Sequence, residues 1–128
     1  MAGGTNGSAL YVEEGRRLPT VATAAHLAAA LGVSAAWLVY GLGEPNADGR
    51  ISTTTGMGER LQSARASLPL ARAELGRRTG LSPRAIAKVE DGGQSGVDVV
   101  ELLAQALGIS PAWLAFDEGP QVLPSRRR

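Results

Sequence analysis

Two stretches of this 128-residue chain are versions of one another, and no other feature restricts its architecture as much. YVEEGRRLPTVATAAHLAAALGVSAAWLVYGLGEP lies over AKVEDGGQSGVDVVELLAQALGISPAWLAFDEGP with a one-residue slip in the loop. Val12, Glu13 and Gly15 answer Val89, Glu90 and Gly92 at an offset of 77. Leu27, Leu31, Gly32, Trp37 and Leu38 answer Leu103, Leu107, Gly108, Trp113 and Leu114 at an offset of 76. Only MAGG stands before Thr5, which matches Ser82, so the first copy is expected to lack whatever precedes Ser82 in the second.

What precedes and includes Ser82 is the stretch RAELGRRTGLSPRAIAKV, residues 72–89, which reads as two short helices joined by a tight turn. Leu75 and Thr79 lie four apart on one side of the first helix. Gly76 beside them allows close approach of a second helix, although it weakens its own helix by roughly 1 kcal/mol relative to alanine. Gly80 ends the first helix, because a residue without Cβ enters a left-handed turn cheaply. Leu81 plugs the corner. Ser82 is a good N-cap and Pro83 falls at the first helical position, where its missing N–H is no loss. In the second helix Ile86 and Val89 face inward, leaving Arg84, Ala87 and Lys88 outside.

A helix propped in this way, with its start exposed and cations on its outer face, fits the DNA major groove. The flanks extend the pattern. Upstream, Leu61, Ala64 and Leu68 make one buried face of an amphipathic helix. Downstream, Val99, Leu102, Leu103, Ala106 and Leu107 make another that stops at Gly108, and SPAWLAF follows with a serine cap and a short helix carrying Trp113 and Leu114. Over residues 57–119 this succession, GERL through ELGRRTGLS, KVEDG and ALGISPAWL, resembles the Cro and phage-repressor-like (XRE) family of helix-turn-helix DNA-binding domains. The implied fold is all-α: a five-helix repressor-like domain preceded by a truncated second copy of about three helices.

The resemblance also implies where DNA would be touched. Ser82, Pro83, Arg84, Ala87 and Lys88 match positions that face base edges, with Arg84 first because its fork can reach O6 and N7 of guanine. Arg72 stands where the family often has a glutamine on the DNA backbone, and Gly93 and Gln94 could offer a backbone N–H and an amide to phosphate. Arg60, Arg65, Arg77 and Arg78 are expected to be ordinary solvated surface. Pro83 and Ala87 remove two hydrogen-bonding side chains from the reading face, so specificity is expected to lean on thymine methyls and DNA shape. In the first copy Thr5, Asn6, Gly7, Ser8 and Tyr11 occupy the matching sites without a cation, and DNA reading is not expected there.

Charge supports the placement. Net charge is only +1, but residues 58–96 hold seven Lys and Arg against four acids, whereas residues 1–56 and 97–128 each hold three against four. There is no cysteine, which excludes disulfides and thiolate metal sites. His26 is the one histidine and has no evident partner; the acid pairs Glu13 with Glu14 and Glu90 with Asp91 lack the flanking ligands of a metal site. No phosphate-binding GxxxxGK occurs. The reading is therefore a non-enzyme without cofactor, metal or catalytic residues. With neither a signal sequence nor a membrane-length apolar run, it is expected to be cytoplasmic.

The expected organisation is a partial half-domain over 1–40, a linker over 41–56 rich in Gly, Thr, Asn and Pro that lets the parts reorient, the helix-turn-helix domain over 57–119, and a disordered basic tail over 120–128. The half-domain presents Leu27, Leu31, Trp37 and Leu38, a surface that must be buried against the second copy or against another chain. The second choice gives a homodimer through the N-terminal half, suited to a palindromic operator. Two functions follow: a sequence-specific transcriptional regulator acting on double-stranded DNA with helix 82–91, or, alternatively, an antitoxin-like or adaptor interaction module on the same scaffold. No effector ligand is indicated.

Overall fold

Helix boundaries follow the capping residues closely. In the computed structural model, which describes residues 19–47, 49 and 51–123, the chain forms α1 (Val21–Leu31), α2 (Ala35–Tyr40), α3 (Met57–Ser67), α4 (Arg72–Thr79), α5 (Pro83–Glu90), α6 (Val97–Leu107) and α7 (Pro111–Phe116). The side-chain oxygens of Thr20, Ser34, Ser82 and Ser110 accept from backbone N–H groups in the first turns of α1, α2, α5 and α7, satisfying donors with no partner inside the helix. Gly80 closes α4 at φ +83°. Thr5, Asn6, Gly7, Ser8 and Tyr11 of the first copy and the three terminal arginines lie outside the described residues.

Helices α3 to α7 pack as a unit. α5 lies against α3 and α4, α4 against α6, and α7 against α3 and α6. Their shared core is Leu61, Leu75, Ile86, Val97, Val100, Leu103 and Leu114, all essentially without solvent contact. Two residues assigned inward from the sequence are in fact outside: Leu68 is 47% and Leu102 42% exposed. Leu68 is the residue that ends α3, so it leaves the stripe set by Leu61 and Ala64. In α6 the inward stripe is Val97, Val100, Leu103, Ala104 and Leu107, which puts Leu102 on its outer flank.

The pair α1 and α2 sits on this unit through α6 and α7. At the seam the Val21 N–H donates to Ser95 O (2.8 Å) and the Val97 N–H to Pro19 O (3.0 Å), around an antiparallel bridge between Thr20 and Gly96. Adding 76 to one member of each pair gives the partner of the other, so the two bonds are related by the offset of the sequence repeat. The same offset links the Tyr40 and Phe116 rings, whose centroids are 6.2 Å apart. Tyr40 Oη also donates to Val97 O (2.9 Å).

The four residues assigned to packing by the first half divide here. Leu38 is buried and Trp37 packs against the core, whereas Leu27 and Leu31 are 36% and 59% exposed. α1 turns Val21, Ala24, Ala25 and Ala28 inward instead. The segment expected to be a reorienting linker is also fastened. Pro45 O accepts from the Ser34 N–H (2.9 Å), and Asn46 bridges to Val33. Ser52 Oγ accepts from the Ala35 N–H (3.1 Å) and donates to the buried Glu118 carboxylate (2.6 Å). Glu118 in turn accepts from Ser34 Oγ and the Ala36 N–H, both at 3.0 Å, so one carboxylate from beyond α7 holds the start of α2 and the preceding loop together.

Candidate nucleic-acid interface

The turn between α4 and α5 is built by short-range chemistry. Ser82 Oγ accepts from the Ala85 N–H (3.0 Å), and Thr79 Oγ1 donates to Leu75 O (2.9 Å) while accepting from the Leu81 N–H (3.2 Å). Leu81 is half-buried in the corner. Gly76 is indeed a close-approach residue, but what approaches is the turn itself: a Cβ there would stand 2.5 Å from Leu81 O.

α5 turns Ile86, Val89 and Glu90 into the protein. Glu90 is the residue that sequence reasoning passed over. Its side chain is fully buried, and Oε2 accepts from Arg65 Nε (2.6 Å), while Oε1 accepts from Arg65 Nη2 (3.1 Å) and Arg72 Nε (2.9 Å). Arg72 Nη2 adds a contact at 2.8 Å. Burial by itself would raise the Glu90 carboxyl, but the hydrogen bonds and charges of Arg65 and Arg72 outweigh it and hold the group below the usual carboxylate range. The signal was available: Glu90 lies four after Ile86, on the inward stripe, and a carboxylate on an apolar stripe requires buried cations.

Two arginines read as ordinary surface are therefore structural. Arg65 is 17% exposed and, besides gripping Glu90, donates from Nη1 to Leu70 O (2.9 Å). Arg60 donates from Nε to Leu114 O (3.0 Å), from Nη2 to Ala115 O (3.1 Å) and from Nη1 to Thr55 O (3.0 Å). Burial lowers its guanidinium from the ordinary value, against the opposing influence of Asp117 and Glu59. Arg77 and Arg78 do stay outside and pair with Glu74, whose carboxyl they hold below its ordinary value, chiefly through the Arg77 hydrogen bond.

The outward side of α5 differs. Ser82, Pro83, Arg84 and Lys88 are exposed and Ala87 is half-exposed, so the five residues expected to face bases share one surface. Among the described residues neither Arg84 nor Lys88 has an ion-pair partner. The Arg72 side chain is 39% exposed, with its Nε and Nη2 engaged by Glu90. Gln94 is exposed in the following loop. Gly93 does not offer the backbone donor expected of it, because its N–H donates to Lys88 O (2.8 Å) in closing the end of α5. Its lack of a side chain has another use: a Cβ would stand 2.7 Å from Lys88 Cγ, so Gly93 is the seat for the Lys88 stem.

Among the described residues no group of three or more His, Cys, Asp or Glu could hold a metal ion, and no helix is long and apolar enough to cross a membrane. Cations on one face of a rigidly seated helix, with a second helix braced behind it, are the apparatus of a groove-binding domain. Residues 61–114 match the family model described as helix-turn-helix, and that span runs from Leu61 in α3 to Leu114 in α7. Residues 61–114 are thus a helix-turn-helix domain of the Cro and phage-repressor-like (XRE) type, a DNA-binding regulatory family.

Proposed function

We propose that this protein is a sequence-specific transcriptional regulator that inserts α5 into the major groove of double-stranded DNA. The observation that carries this reading is the division of α5 into two faces: Glu90 locked between Arg65 and Arg72 on one, and on the other Arg84 and Lys88, exposed and without an ion-pair partner among the described residues. A fixed helix carrying free cations supplies both requirements of groove reading, a defined register and donors for base edges. Arg84 reads guanine. Ser82 and Lys88 reach neighbouring bases or phosphates, and the apolar surface of Pro83 and Ala87 meets thymine methyls. Arg72 and Gln94 contact phosphate and set the register.

The test is a salt series of binding isotherms on genomic fragments. Affinity should fall steeply and linearly on a log–log plot as counterions are released, and one fragment should bind well above the rest. No binding at low salt would overturn the reading and favour an interaction module on the same scaffold, which the sparse polar content of the Pro83 and Ala87 surface would suit.

A further inference from the structure

A cavity of about 240 Å³ lies where the two copies of the repeat meet. Its walls come as counterparts at offset 76: Ser34 with Ser110, Ala36 with Ala112, Gly43 with Gly119. Leu42 and Glu118 are counterparts as well, and there the halves differ, one wall being apolar and the other a carboxylate. Neither copy makes this cavity alone.

Glu90 and Glu118 are the buried acids among the described residues, 8% and 7% exposed, and they are held in different ways. Glu90 is gripped by Arg65 and Arg72. Glu118 accepts only from neutral donors, Ser34 Oγ and the Ala36 N–H at 3.0 Å and Ser52 Oγ at 2.6 Å. Those bonds fix where its oxygens point but leave its charge unmatched. Among the described residues Glu118 has no ion-pair partner and no cation lines the cavity, to which Glu44 adds a second carboxylate. A carboxylate has about four acceptor sites, so one remains beyond the three bonds made. A buried charge without a counter-ion is costly, and a cation brought to it offsets that cost.

We infer that this cavity binds a small organic cation, an ammonium or amidinium group on an apolar body. The charged end pairs with Glu118, and the body lies along Leu42, Ala112 and Leu123, which line the same cavity. A divalent metal does not suit these walls, because it needs six or more oxygen ligands where alanine and leucine stand. The volume is below the roughly 300–1,000 Å³ of sites for drug-sized ligands, so the body is a single ring or a short chain. Such a ligand touches both halves and stabilises the seam between them. No residue of α5 lines the cavity, and the inference stands whether or not α5 reads DNA.

The test is two-dimensional amide NMR on the isotope-labelled full chain at neutral pH. It is titrated with benzylamine and, separately, with benzyl alcohol and benzoate, which share the ring and differ in charge. Benzylamine should shift the amide signals of Ser34, Ala36 and Gly119 saturably, with a Kd at or below about 1 mM for so small a molecule. Benzyl alcohol and benzoate should bind at least about tenfold more weakly. Glu118→Gln should erase the preference for amine over alcohol. Leu42→Trp, which narrows the cavity and leaves the carboxylate in place, should lose benzylamine. The absence of a saturable shift, equal binding of the alcohol or the acid, or undiminished benzylamine binding in either variant would each overturn the inference. Should either variant fail to fold, the comparison of the three ligands on wild type decides. Binding that appears only after Arg126, Arg127 and Arg128 are replaced by serine would also overturn it, since the cavity would then belong to the chain's own arginines.

Discussion

Glu90 carries more of this structure than its single charge suggests. It is a carboxylate with no solvent contact that ties α3, α4 and α5 through Arg65 and Arg72. Removing one partner of such a buried pair leaves the others uncompensated, so Glu90→Ala should destabilise the fold by about 3–5 kcal/mol in urea unfolding at neutral pH. The pH dependence follows from the direction of the shift. Because the folded carboxyl is held below its ordinary value, its contribution is complete above the unfolded value of about 4.3 and disappears as pH falls through the lower folded value. Wild type should therefore lose stability below about pH 4.3 more steeply than Glu90→Gln, measured as urea midpoints across that interval. On the opposite face of α5 the residues divide by role. Arg84→Ala should weaken binding to the preferred site by about 1–3 kcal/mol and relax one base position, while Arg72→Ala should weaken all sequences alike and lower the salt slope.

At the scale of elements, the α4-turn-α5 unit was legible because its determinants are local. Gly80, Ser82 and Pro83 act within a few residues of themselves, and each performs in the structure the part its chemistry assigns. What was not legible depends on sequence-distant neighbours. Glu90 finds its arginines 18 and 25 positions away. Gly93 reads as an open loop donor until the closure of α5 is known to consume its N–H. Gly58 gave no signal at all, yet a Cβ there would stand 2.4 Å from Glu90 O and 2.8 Å from Val89 O. Both atoms are backbone and cannot rotate aside, so α3 and α5 would have to separate. Gly58→Ala should therefore destabilise by about 1–3 kcal/mol in thermal or urea unfolding, a cost in the range of core overpacking.

For the whole molecule, the repeat in the sequence led to the expectation of two related halves but left open what the first half rests on. The seam answers for Trp37 and Leu38, which pack within the chain, and leaves Leu27 and Leu31 facing outward. The segment 41–56 read as a free linker because its composition lacks apolar periodicity. The polar atoms of Ser52 and Pro45 nonetheless fasten it, through side-chain and backbone hydrogen bonds that periodicity does not register. Tyr40 is a direct probe of the seam. Tyr40→Phe keeps the ring beside Phe116 but removes the hydroxyl from Val97 O, and should lower stability by about 1 kcal/mol without changing DNA affinity.

Guanine methylation interference addresses α5 as a groove reader most directly, because a methyl on N7 blocks the major-groove edge that an arginine fork would use. Methylation at one or a few guanines should abolish binding by wild type, and the Arg84→Ala protein should become indifferent to methylation at one of them. Binding by wild type that tolerates N7 methylation at every guanine of its site, or an interference pattern identical in Arg84→Ala, would contradict the account.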